Sequence, residues 1–139
     1  MKIVFVLFLA LYLVAVDESY LLGLKAYYDK NSSNDVQAVA ILSKEAQKNN
    51  PDAAFLLGVA YAEGRIVAKD LKKSLYWYEY AADLGDKDAM LVVGWCYYKG
   101  EVVKRDLQKA RYWFQKVANL GDIEALQMVE LIDEVIFSK

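Results

Sequence analysis

The side chains able to do chemistry are few. The 139-residue chain contains no histidine, so imidazole bases and imidazole metal ligands have nothing to act through. Cys96 is the single cysteine. It can form no intrachain disulfide and no thiolate cluster, and with no histidine to activate it, it reads as a half-buried spectator. Asp52, Asp88 and Glu124 recur at a spacing of 36, which a ring of acidic ligands would also require. Each falls in the first turn of an expected helix, however, where the dipole stabilises a carboxylate by on the order of a few tenths of a kcal/mol. No nucleophile with its base, no acid/base pair and no metal set is visible, so the expectation is a non-catalytic protein with no cofactor and no metal. Seventeen basic residues balance nineteen acidic ones for a net charge of -2, without a long run of one sign, which argues against a nucleic-acid partner. What remains is contact chemistry. Eleven tyrosines and three tryptophans are large amphipathic rings of the kind that supply binding energy, and equally of the kind that pack helical repeats.

Lys2 is the only charge before Asp17, and Ile3 to Val16 is an unbroken apolar run. That run has the length of a signal-peptide apolar region and falls short of the roughly 20 residues a bilayer-spanning helix needs. No small-x-small cleavage pattern appears around Leu13, Val14, Ala15 and Val16. Residues 1–16 are therefore expected to be a signal peptide or an uncleaved membrane anchor. The mature chain would be periplasmic or secreted, or held at the inner membrane through residues 3–16. A buried first helix of a cytosolic domain is the competing account.

The elements that must carry the aromatic rings emerge when the sequence is slid against itself by 36 residues. Asp52-Ala53 recurs as Asp88-Ala89, Gly58 as Gly94, Tyr61 as Tyr97, Gly64 as Gly100, Val67 as Val103, Asp70-Leu71 as Asp106-Leu107, Lys73 as Lys109, Trp77 as Trp113, Ala82 as Ala118 and Gly85-Asp86 as Gly121-Asp122. A fixed period of this size signals stacked units. Each unit reads as two helices. The first runs from about Asp52 to Glu63 behind the Asn50-Pro51 start and stops at Gly64. The second runs from Leu71 to Leu84, capped by Asp70 and ended by Gly85, with Leu71, Leu75, Tyr78, Ala81 and Ala82 on one face. Gly58 and Gly94 sit mid-helix, where glycine costs about 1 kcal/mol against alanine, so a neighbouring helix backbone is expected to approach there. Ala82 and Ala118 are expected to be further points of close contact.

The pattern Ala53-x3-Leu57-Gly58-x2-Tyr61-x2-Gly64-x2-Val67-x2-Asp70-x2-Lys73-Ser74-x2-Trp77-Tyr78-x2-Ala81-Ala82-x2-Gly85 resembles the Sel-1-like repeat, a relative of the tetratricopeptide repeat. The second copy keeps it with Ala110, Phe114 and Val117 at the Ser74, Tyr78 and Ala81 places. The resemblance implies an all-α fold, a right-handed α/α solenoid of about 36-residue helix-turn-helix repeats forming a TPR-like superhelix, and a scaffold or adaptor role in bacterial envelope or secretion settings. The expected organisation is a degenerate first repeat over 17–50, repeats over 51–86 and 87–122, and a C-terminal capping helix within 123–139, seven helices in all. The first unit matches Gly58 at Gly23 only after a one-residue slip and lacks the loop glycine, which leaves the Asp29–Asn34 connection undefined. Glu130 and Asp133 stand where the glycine and tyrosine of another first helix would be. The last helix is therefore read as the terminal cap that solenoids need for solubility.

In this architecture the first helix of each pair lines the concave side. Phe55, Val59 and Ala62, with Leu91, Trp95 and Tyr98 one repeat later, are expected along the groove, joined by Tyr20, Leu24 and Tyr27 at one end and Gln127 at the other. Such an apolar, aromatic strip marks a protein-partner site; the alternative for Trp95 is packing beneath its own loop. Trp77 and Trp113 are expected to be structural. Two functional forms follow: an exported adaptor that holds a partner segment in the groove, or a periplasmic immunity protein that neutralises a secreted toxin. Self-association through the same strip is the third option, and the sequence leaves the oligomeric state open.

Overall fold

The computed structural model describes residues 18–28 and 35–138, which contain seven α-helices and no strand. They are α1 (Glu18–Tyr28), α2 (Asp35–Gln47), α3 (Pro51–Glu63), α4 (Leu71–Asp83), α5 (Lys87–Lys99), α6 (Leu107–Ala118) and α7 (Ile123–Phe137). The proposed signal or anchor over residues 1–16 and the Asp29–Asn34 connection lie outside the described residues. Each helix packs on its neighbours in the chain, so the hairpins α1–α2, α3–α4 and α5–α6 stack in a row with α7 at the end.

Punctuation by caps explains where the helices begin. Asn50, Asp86 and Asp122 each accept a bond from the backbone N–H three residues on, at Ala53, Ala89 and Ala125. Asp70 and Asp106 do the same at the second helices, on Lys73 and Lys109. Pro51 takes the first helical position of α3, where its missing N–H leaves no bond unmade. The ends follow the same logic, with Gly64 and Gly100 in left-handed backbone at φ 69° and 74°, a region that a side chain enters only with strain.

The mid-helix glycines admit rings, which corrects the expectation of a helix backbone. A Cβ on Gly58 would stand 2.7 Å from the Tyr78 ring, and one on Gly94 would stand 3.0 Å from Phe114. Ser74 also donates a buried hydrogen bond of 2.8 Å to the Gly58 carbonyl. Gly23 meets the Ile41 side chain in the same manner, so the first unit repeats the device with an aliphatic partner. The main core runs from Tyr27 through Leu42, Leu57 and Val93 to Val117. A second cluster of Ala110, Phe114, Val129 and Ile132 binds α7 to α6. Trp113 is buried and Trp77 half-buried against the core. Ala82 is sealed, Ala118 only partly, and Leu71, expected on the buried face of α4, stands 45 % exposed at its rim.

Two ion pairs join successive units: Lys87 Nζ meets Asp122 at 2.8 Å, and Arg111 grips both carboxylate oxygens of Asp133. Asp133 thus uses the tyrosine place of the repeat to clamp α7 onto α6. The outer face of α7 is mixed rather than polar, because Leu126, Leu131, Val135 and Phe137 are exposed between Glu124, Glu130 and Glu134.

The hydrogen bond from Lys87 holds the Asp122 carboxyl below its ordinary value, and that from Arg111 does the same for Asp133. A carboxylate lowered on folding contributes stability that is complete above its unfolded pKa and is lost as pH falls through the folded one. Asp86, raised chiefly by burial, acts in the opposite sense. The melting temperature is expected to fall more between about pH 5 and pH 2 in the parent chain than in Asp122→Asn/Asp133→Asn. Parallel curves would show that the two pairs contribute nothing.

Candidate partner-binding face

On the first helices α3 and α5, most of the residues expected along the groove are partly covered. Phe55, Val59 and Leu91 are half-buried and pack against the main core. Ala62 and Tyr98 are also half-buried. Trp95 remains 39 % exposed, held edge-on by Tyr98 at 5.5 Å and by Phe114 at 5.3 Å. On α1, Tyr20 and Leu24 are half-buried, and on α7 Gln127 is exposed. Tyr27 is a correction. It is only 2 % exposed, closed into the core with the Arg65 guanidinium 4.8 Å from its ring centre, and offers a partner nothing.

The rings of this face are fixed by cations and hydrogen bonds. Lys73 lies over Tyr61 and Lys109 over Tyr97, the same pair one repeat apart, each worth on the order of 0.5–1 kcal/mol at an exposed site. Arg105 covers Tyr98 and donates to its carbonyl oxygen at 3.0 Å. Tyr97 donates a 2.6 Å hydrogen bond to Glu79 of the preceding unit, which with burial pushes its phenol up to about 12. Burial first, then the neighbouring Tyr27 and Glu63, takes the Tyr78 phenol to about 12 as well. These phenols stay protonated at neutral pH and act as donors and packing surfaces.

Sequence reasoning missed what lies beside Trp95. Val92, Trp95, Cys96, Lys99, Glu101 and Val102 line a recess of about 430 Å³, within the range of about 300–1,000 Å³ typical of small-ligand sites. The loop residues Glu101 and Val102 line it together with Trp95. Burial first, then Glu101 and Glu79, raises the Cys96 thiol against the opposing Lys99, so the group stays a thiol and is not activated. A second aromatic feature was also missed. Tyr76 and Tyr112 stand in 36-residue register on the outward faces of α4 and α6, both more than half exposed and set edge-on against Trp77 and Trp113. Among the described residues no three histidine, cysteine, aspartate or glutamate side chains converge as a metal site, and no helix is long and apolar enough to cross a membrane.

A stack of capped helical hairpins with rings along its first helices defines a helical-repeat protein of the kind that works by contact. The Sel1 repeat matches residues 51–86 and 87–122, and the chain belongs to the Sel1 repeat family, whose members generally mediate protein–protein interaction and are typically scaffolds rather than catalysts. Among solved structures it is similar to a Sel1 repeat protein from Oxalobacter formigenes, with a TM-score of 0.74 and 23 % identity over 84 % of this chain and 48 % of that one. It is also similar to c5321, a protective antigen of uropathogenic Escherichia coli with an SLR fold, at a TM-score of 0.68 and 32 % identity over 84 % of this chain and 25 % of that one. Cysteine-rich protein B of Helicobacter pylori aligns at 0.61 and 32 % identity over 66 % of this chain and 69 % of that one. The chain thus spans about half the Oxalobacter protein and a quarter of c5321. No curated protein matches it.

Proposed function

We propose that this protein is an exported bacterial adaptor that holds a segment of a partner protein along the concave side of its first helices, with Trp95 as the central anchor. The observation that carries the reading is Trp95 itself. It is a large ring fixed by Tyr98 and Phe114 that keeps 39 % of its surface open on a first helix, between Leu91 and Tyr98. A preorganised aromatic side chain is the type that dominates interface energetics. The apolar run Ile3 to Val16 behind Lys2 supports export and a periplasmic or secreted setting.

Affinity capture from envelope extracts, with the parent chain and Trp95→Ala as baits, tests the reading. Trp95→Ala is expected to weaken the captured partner by about 2 kcal/mol, roughly thirtyfold in Kd, while its two edge-on ring contacts account for about 1–3 kcal/mol of the fold's stability and the variant stays folded. Unchanged capture would contradict the anchor role. The recess beside Trp95 also suits a dedicated inhibitor such as an immunity protein, which would return one tight partner where an adaptor returns several weaker ones. Export is tested by fractionating the full chain with a C-terminal tag; recovery in the cytosol would contradict it.

A further inference from the structure

One turn after its buried glycine, each first helix places a residue in matching register: Tyr27 after Gly23, Ala62 after Gly58 and Tyr98 after Gly94. The two tyrosines do the same work in successive units. Tyr27 is sealed in the main core, whose buried members include Leu56, Ala60 and Ile66 of the following unit, with the Arg65 guanidinium of that unit 4.8 Å from its ring centre. Tyr98 packs against the cluster containing Val129 and Ile132, beside Met128, again from the following unit. Between them the series is broken, because Ala62 offers only a methyl group.

The unit after Ala62 is also packed less tightly at the matching positions. Val92, Cys96 and Val102 stand 36 residues after Leu56, Ala60 and Ile66. The earlier three are buried and the later three only half-buried. The recess of about 430 Å³ opens among those same later residues, with Trp95 as one wall. We infer that this recess is a socket for an aromatic side chain of the partner, a phenyl or phenol ring that takes the place Tyr27 fills one repeat earlier. The inference rests on the α5 face being the partner surface and names the chemistry that face accepts. Shape is its main selector: the rim carries Lys99 and Glu101 where the preceding repeat carries Glu63 and Arg65, one charge of each sign in both cases. The chain offers its own precedent, since one repeat earlier a tyrosine ring is sealed in the core against Arg65, the counterpart of Glu101.

The test uses p-cresol, the tyrosine side-chain analogue, titrated into the full protein and followed by NMR at the Trp95 indole N–H and by the alkylation rate of Cys96. A saturable shift of the Trp95 signal with slowed alkylation of Cys96 is expected. Ala62→Tyr, which restores the missing ring from within, is expected to weaken p-cresol binding at least tenfold and to raise the melting temperature. A non-saturating response, shifts located away from Val92, Trp95 and Cys96, or undiminished p-cresol binding by folded Ala62→Tyr would overturn the socket, and the parent titration decides the matter even if the variant fails to fold. Should p-cresol fail while Trp95→Ala still loses the partner, the socket falls and the partner face stands. Should p-cresol bind as expected while Trp95→Ala retains the partner, the socket stands and the partner face falls.

Discussion

Gly58→Leu is expected to destabilise the protein by about 3 kcal/mol, at the upper end of ordinary overpacking, and to leave a chain whose repeats no longer register. The Cβ alone would stand 2.7 Å from Cδ1 and Cε1 of Tyr78. That ring cannot easily retreat, because it is buried and packed against Phe55 at a centroid distance of 5.3 Å. Moving α4 outward instead would stretch the 2.8 Å bond from Ser74 to the Gly58 carbonyl and leave buried polar groups unpaired. The gain of about 1 kcal/mol in helix propensity on replacing glycine is too small to compensate. Gly94→Leu is expected to cost less, since Phe114 lies 3.0 Å from the corresponding Cβ and no hydroxyl bond crosses at Ala110. Urea unfolding of both variants measures the ranking; Gly58→Leu as stable as the parent would contradict this account of the repeat interface.

Phe114→Ala is expected to cost about 3–5 kcal/mol, the usual range for truncating a buried phenylalanine. Phe114 is the largest fully sealed side chain among the described residues. It fills the place left open by Gly94, joins Val129 and Ile132 of α7, and supports the edge of Trp95. Its loss would leave a cavity, loosen the last helix and free the Trp95 ring. Stability and partner binding should therefore fall together, whereas Trp95→Ala separates them. If thermal melts show Trp95→Ala as damaging as Phe114→Ala, Trp95 belongs to the core and the partner face has been misassigned.

The repeat could be read from sequence because its signals are local. Asn50, Asp70, Asp86, Asp106 and Asp122 cap helices through their own side chains, and Gly64 and Gly100 end them through backbone freedom, so spacing alone located the elements. What Gly58 and Gly94 make room for was less legible. A missing side chain announces a close approach without saying whether backbone or ring arrives, and Tyr78 and Phe114 become the answer only once α4 and α6 are laid across α3 and α5. Tyr27 was misplaced for a related reason. Its helical position matches Ala62 and Tyr98, yet Arg65, thirty-eight residues later in the chain, seals it. The recess beside Trp95 left a trace that could have been found, the alternation of tyrosine, alanine and tyrosine across three units. Reading it required knowing that the first two units are offset by one residue and that each such ring serves the next unit rather than its own.

Tyr76 and Tyr112 give the molecule a second set of exposed rings, on α4 and α6, and thereby a rival face. The partner need only be seen to choose between them. Hydrogen exchange of the protein with and without its captured partner is the most direct measurement. Slowed exchange confined to the backbone of α3 and α5, from Phe55 to Ala62 and from Leu91 to Tyr98, is the predicted result. Protection that falls instead around Tyr76 and Tyr112, with α3 and α5 unchanged, would contradict it.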